Sequence, residues 1–179
     1  MERGRLEIGG WRWALVLALL SPVGLAALAA AAAAQGRAKP APRPGSSVPR
    51  ERLNPAGLVR PTGYSHVLAT RGGKQVFVSG QVSLDAEGNL VGKGDLKTQT
   101  EMVFENLRKA LAAAGATPQD IVKLTTYVVG FKPSDLAILR DVRSRAFGDT
   151  ALPASTLVGV QALARDGLLV EIEAIAVVP

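Results

Sequence analysis

Near the C-terminus, two apolar, β-branched runs frame a short polar turn. They are Pro153-Ala154-Ser155-Thr156-Leu157-Val158-Gly159-Val160 and Leu169-Val170-Glu171-Ile172-Glu173-Ala174-Ile175-Ala176-Val177, with Ala164-Arg165-Asp166-Gly167 between them. The pattern predicts two β-strands joined by a turn in which the Asp-Gly pair tolerates positive φ at low cost. The second strand is the most constraining part of the chain. Side chains alternate faces along a strand, so Glu171 and Glu173 project from one side, roughly 6.6 Å apart. Leu168, Leu169, Val170, Ile172, Ile175 and Val177 surround them, a setting that should be largely buried. Removing a carboxylate from water costs several kcal/mol, so these two must face water, a cation or a wet cavity. Periodicity leaves two readings open: a strand with one solvated face, or a pocket wall carrying at least one glutamate.

Composition excludes several chemistries. The 179 residues contain no cysteine and one histidine, which removes disulfides, thiolate metal sites, a cysteine nucleophile and any histidine-based triad or cage. No metal and no cofactor is expected. The net charge of +6 sits mostly at one end. Residues 51–179 hold 14 Lys+Arg against 13 Asp+Glu, so the expected folded body is nearly neutral and offers no argument for nucleic acid.

Residues 1–34 read as a signal peptide. Arg3, Arg5 and Arg12 supply the positive start, and residues 13–20 the apolar segment. Ser21-Pro22-Val23-Gly24 then breaks the helix, and an alanine run offers small-residue cleavage sites before Gln35. An uncleaved membrane anchor is the alternative, since residues 13–34 number 22 and about 20 span a bilayer. The internal break and small residues favour cleavage. In both cases the domain is exported, periplasmic or secreted, and any membrane contact runs through this segment. Residues 35–50 carry Pro40, Pro42, Pro44, Pro49, Arg37, Lys39, Arg43 and Arg50 without an acid, and read as a disordered linker.

Residues 51–179 form the expected domain. A strand at 66–70 ends in the turn Arg71-Gly72-Gly73-Lys74, and residues 75–79 return as the next strand. A helix is predicted from Leu96 to about Ala114, with Asp95 as N-cap and Gly115 as stop. Its apolar stripe is Leu96, Thr100, Val103, Leu107, Ala110, Leu111 and Ala114. Residues 121–129 are β-branched and read as a strand. A second helix starts near Pro133-Ser134-Asp135, presents Leu136, Leu139, Val142 and Ala146, and ends near Gly148. The order β-β-α-β-α-β-β fits an α+β domain with two helices on one face of a mixed sheet.

Two motifs then carry a resemblance. Pro153-Ala154-Ser155 with Val170-Glu171-Ile172-Glu173-Ala174-Ile175-Ala176 resembles the C-terminal signature of the RidA (YjgF) family. Gly63-Tyr64-Ser65-His66 and Phe77-Val78-Ser79-Gly80-Gln81 resemble its N-terminal signature. The likeness spans about residues 54–178. It implies the chorismate-mutase-like α+β fold, a homotrimer, and small-molecule clefts between subunits in which enamines or imines are hydrolysed to a ketone and ammonia.

In that family an arginine after the Pro-Ala pair holds the substrate carboxylate, and a glutamate on the last strand positions the hydrolytic water. An N-terminal tyrosine and a Ser-Gly pair help to line the cleft. Carried over, the resemblance makes Glu171 the catalytic residue and Tyr64, Ser79 and Gly80 cleft residues. The arginine's place is taken by Ser155, and a cysteine common two positions later is Leu157. A guanidinium grips a carboxylate through two charge-assisted bonds, whereas serine offers one neutral hydroxyl. Amino-acid-derived imines are therefore disfavoured, and a neutral or differently anchored ligand would use Ser155 and Thr156 as donors. His66 is expected to pack or lie at the surface. The rival functions are a non-catalytic small-molecule- or partner-binding trimer, and an endoribonuclease, which the neutral body and absent histidine pair disfavour.

Overall fold

The computed structural model describes residues 48–148 and 152–179. The apolar N-terminal segment, and residues 35–47 of the expected linker, lie outside the described residues. Val48 is buried, and Arg50 opens the first strand and bonds Asp120 at 3.0 Å and the Val177 carbonyl at 3.0 Å. Residues 48–50 of the expected linker are therefore tied into the described domain.

The elements run β1 (Arg50–Leu53), β2 (Val67–Thr70), β3 (Lys74–Val82), α1 (Leu96–Ala113), a 3-10 turn (Pro118–Asp120), β4 (Ile121–Val129), α2 (Asp135–Phe147), β5 (Ala154–Val160) and β6 (Val170–Val178). A four-stranded mixed sheet has the order β3-β6-β4-β5, with β4 and β5 parallel and the other pairs antiparallel. β6 is thus an inner strand, and its burial alternates: Val170, Ile172, Ala174 and Ala176 are buried, while Glu171, Glu173 and Ile175 are half-buried. The buried set packs with Leu124 and Val128 of β4, Val103, Leu107 and Leu111 of α1, and Leu139 and Phe147 of α2. Both helices therefore cover one face of the sheet.

The helices form as their sequence dictates. Asp95 accepts from the Lys97 and Thr98 backbone N–H groups at 2.9 and 3.2 Å, satisfying donors that a helix start leaves free. Gly115 takes φ +75° just beyond α1, and Gly148 takes φ +63° just beyond α2.

Two strand pairings differ from the sequence expectation. β2 does not return as β3; it pairs antiparallel with β1 in a separate two-stranded sheet. Gly72 and Gly73 have φ +71° and +86°, and a side chain at Gly73 would strike the Val178 carbonyl at 2.8 Å. The Gly-Gly pair carries the chain closely over the end of β6 and from one sheet into the other. Likewise, β5 and β6 are joined by a turn but are not neighbours, because β4 lies between them. A β4-α2-β5 unit makes its strands parallel, since the helix carries the chain back to the same end. β5, with Thr156, Val158 and Gly159 exposed, takes the edge.

Candidate functional site

On the helix-covered side, a cavity of about 200 Å³ opens between the sheet, both helices and the segment before β2. Its floor is apolar: Phe104, Leu136, Leu139, Leu157 and Ile172. Its polar wall is formed by Thr62, Tyr64, Thr126, Ser155, Arg140 and Arg143. Tyr64 and Ser155, ninety-one positions apart, meet here because Ser65 straps the two segments together. The Ser65 N–H donates to the Pro153 carbonyl at 3.1 Å, and its hydroxyl donates to the Leu152 carbonyl at 2.9 Å. A parallel bridge joins Ser65 to Ala154. His66 is placed beside Tyr64, with its ring edge-on at 5.3 Å and its Nε2 2.7 Å from the Val59 carbonyl.

The other singled-out residues lie on the opposite, helix-free face. Strand alternation turns Glu171 away from the cavity that its neighbour Ile172 lines. Between Val78 and Gln81 the register with β6 slips, so three steps along β3 span only two along β6. This bulge contains Ser79 and Gly80, and bulges re-aim neighbouring side chains. Gly80 lacks the atom that would block the acid: a Cβ there would stand 1.8 Å from Glu171 Oε1. Ser79 lines a shallow hollow with Phe77, Lys123, Thr125 and Glu173. Thr156 also faces this side, where its hydroxyl accepts from Lys123. In one chain, therefore, Tyr64 and Ser155 are brought together, and Glu171 with Gly80 and Ser79 forms a second group across the sheet.

Three residues in these two groups were not singled out from the sequence. Tyr127 of β4 pairs in register with Glu171 and donates to Glu173 Oε1 at 3.4 Å. Desolvation, then the charges of Glu173 and Glu171, push its phenol above the ordinary value and keep it protonated. Arg140 and Arg143 line the cavity from α2. A signal for them existed: Leu136, Leu139, Arg140 and Arg143 follow the i, i+3, i+4, i+7 spacing of one helix face. Arg165, in the turn before β6, donates to the Gly88 carbonyl at 2.6 Å and lines no part of the cavity.

Residues 57–178 match the family model described as Endoribonuclease L-PSP. The chain belongs to this family, the RidA (YjgF) family. A RutC family protein of Pyrococcus abyssi is 41% identical over 108 residues, which are 60% of this chain and 82% of that one. The solved structure of YyfB from Yersinia pestis, a Rid family protein of unknown function, is 40% identical with a TM-score of 0.68, covering 72% of this chain and 98% of that one. The 2-iminobutanoate/2-iminopropanoate deaminase of Dermatophagoides farinae is 30% identical over 110 residues, 62% of this chain and 83% of its own. This RidA-family chain has the chorismate-mutase-like α+β fold, with two helices on a mixed sheet.

Proposed function

We propose that this RidA-family protein is exported by its N-terminal segment and works as a homotrimer with small-molecule clefts between protomers. Each cleft joins the Tyr64–Ser155 cavity of one protomer to the Glu171 group of another. The observation that carries this reading is the division of the two groups between opposite faces of one sheet, so that a single chain cannot bring them together. The helix-free face also leaves Phe77 71% and Val158 38% exposed, apolar area suited to burial against a second copy.

In this cleft an enamine or imine is hydrolysed. Glu171 takes a proton from water as the oxygen attacks the C=N carbon of the imine, or of the imine tautomer of an enamine, and passes that proton to the nitrogen. The tetrahedral carbinolamine then collapses, breaking the C–N bond to leave a ketone and ammonia. The relative named as an iminobutanoate and iminopropanoate deaminase supports this reaction class. Ser155, in place of an arginine, supports an altered substrate choice, in which a substrate carboxylate is not gripped at position 155. The test is ammonia release from imines freshly generated from several amino acids, combined with sedimentation equilibrium. Acceleration over the spontaneous rate and a mass three times that of one chain are expected. A trimer that binds such compounds without hydrolysing them would instead identify a non-catalytic binding protein on the same scaffold.

Gly80→Ala tests the acid's position. Gly80 has no positive φ, so alanine suits the backbone, and the atom it meets is the free end of a side chain. The stability change should stay within about 1 kcal/mol. The Glu171 carboxylate, however, must move by an ångström or more, and displacements of that size can lower turnover about a hundredfold. Turnover equal to the parent's, with an intact trimer, would detach Glu171 from the chemistry.

A further inference from the structure

We propose that the cavity takes a small carboxylate with an apolar tail, anchored by Arg143 and Arg140 of α2 rather than by the sheet. This rests on the cleft reading above and names what the cleft binds.

The cations of α2 fall into two groups. On the outer side, Arg145 pairs with Asp141 at 2.7 Å and with Glu101 at 3.1 Å. On the cavity side, neither Arg140 nor Arg143 has a carboxylate partner among the described residues. Arg140 reaches only the neutral Thr62 hydroxyl, at 3.3 Å. Arg143 is half-buried, its Nε is enclosed without a hydrogen-bond partner, and the like charge of Arg140 acts on it. Burial and that like charge both push its guanidinium below the ordinary value.

A half-buried guanidinium without an anionic partner is costly, and a second cation acting on it adds to the cost. The structure accommodates it all the same. Gly63, at φ +86°, has no side chain, and a Cβ there would lie 2.5 Å from Arg143 Nη2. A carboxylate entering the cavity would neutralise this pair and accept the donors left free, with the Ser155 and Tyr64 hydroxyls nearby. Two cations already face the space, so a third at position 155 would be repelled, which accounts for a neutral serine there. The apolar floor and the volume of about 200 Å³ suit an acid with a short aliphatic tail.

The test uses calorimetric titration of the full chain with 3-methylbutanoate, its uncharged isostere 3-methylbutanamide, and inorganic phosphate. The acid is expected to bind about tenfold or more tightly than the amide, and more weakly as salt is raised. Arg143→Met keeps the apolar stem. It should remove the acid's advantage while leaving amide affinity within about twofold. Arg140→Gln, at an exposed position, should lower acid affinity to a smaller degree and covers the case in which Arg143→Met misfolds. Equal binding of acid and amide by the parent, or unchanged acid affinity in both variants, overturns the charged anchor and leaves the cleft standing. Tighter binding of phosphate than of the acid overturns the carboxylate class. Binding of none of the three removes the cleft itself, and the proposal with it.

Discussion

Glu171→Gln is expected to lower ammonia release from imines by about 10² to 10⁴-fold, with KM little changed and the thermal midpoint close to the parent's. Glutamine preserves the volume and one acceptor oxygen, but it cannot take a proton from the attacking water. The loss should therefore fall on the chemical step, where general base catalysis contributes factors of this size. The fold tolerates the change because Glu171 is half-buried and forms no ion pair among the described residues, and its place over Gly80 depends on shape. Glu173→Gln supplies the comparison. That carboxylate accepts the Tyr127 hydroxyl at 3.4 Å and lines the outer hollow, so its effect should be much smaller. Equal losses in the two variants would show a shared electrostatic role and no distinct base. No loss in Glu171→Gln would exclude hydrolysis driven by this acid.

What was legible in the chain followed the physics of local order. α1 runs from Leu96 to Ala113 behind an Asp95 cap, and β4 spans Ile121–Val129, because capping and β-branching act within a few residues. The same holds for the shared orientation of Glu171 and Glu173, which needs only a period of two. Strand partners were not legible. A turn such as Ala164–Gly167 states that the chain reverses, but whether its strands pair depends on β4, which arrives from forty residues upstream. β1 was missed because Arg50–Leu53 shows no apolar alternation and pairs with β2 in a separate two-stranded sheet. The arginines of α2 were hidden for a related reason. Reading the helix for its apolar face picks out Leu136, Leu139, Val142 and Ala146, and treats the charges between them as solvated. Only the placement of Tyr64 and Ser155 opposite α2 shows that part of this face borders a cavity.

Gln99 is a sharper case of the same blindness, and the substitution Gln99→Leu should have the largest effect on stability. Its neighbour Thr100 belongs to the apolar stripe of α1, whereas an amide would ordinarily be assigned to solvent. Yet Gln99 is fully buried and fully bonded. Its Nε2 donates to the Gly92 carbonyl at 3.1 Å and to the Gly167 carbonyl at 2.9 Å. Its Oε1 accepts from the Leu169 N–H at 2.8 Å. One side chain thus ties the start of α1 to the loop before it and to the turn that leads into β6. Leucine fills the space but leaves two carbonyls and one N–H without partners. Each unsatisfied buried group costs about 1–3 kcal/mol, and part is recovered by water entering the turn, so a net loss of about 3–5 kcal/mol is expected. Set against typical domain stabilities of about 5–15 kcal/mol, this should lower the urea midpoint substantially. Because Leu169 lies two residues before Glu171, hydrogen exchange should quicken first at the Gly167–Leu169 turn and the beginning of β6. A midpoint shift worth less than about 1 kcal/mol would mean that the turn rehydrates freely, and that β6 holds its register through the β3 and β4 ladders alone.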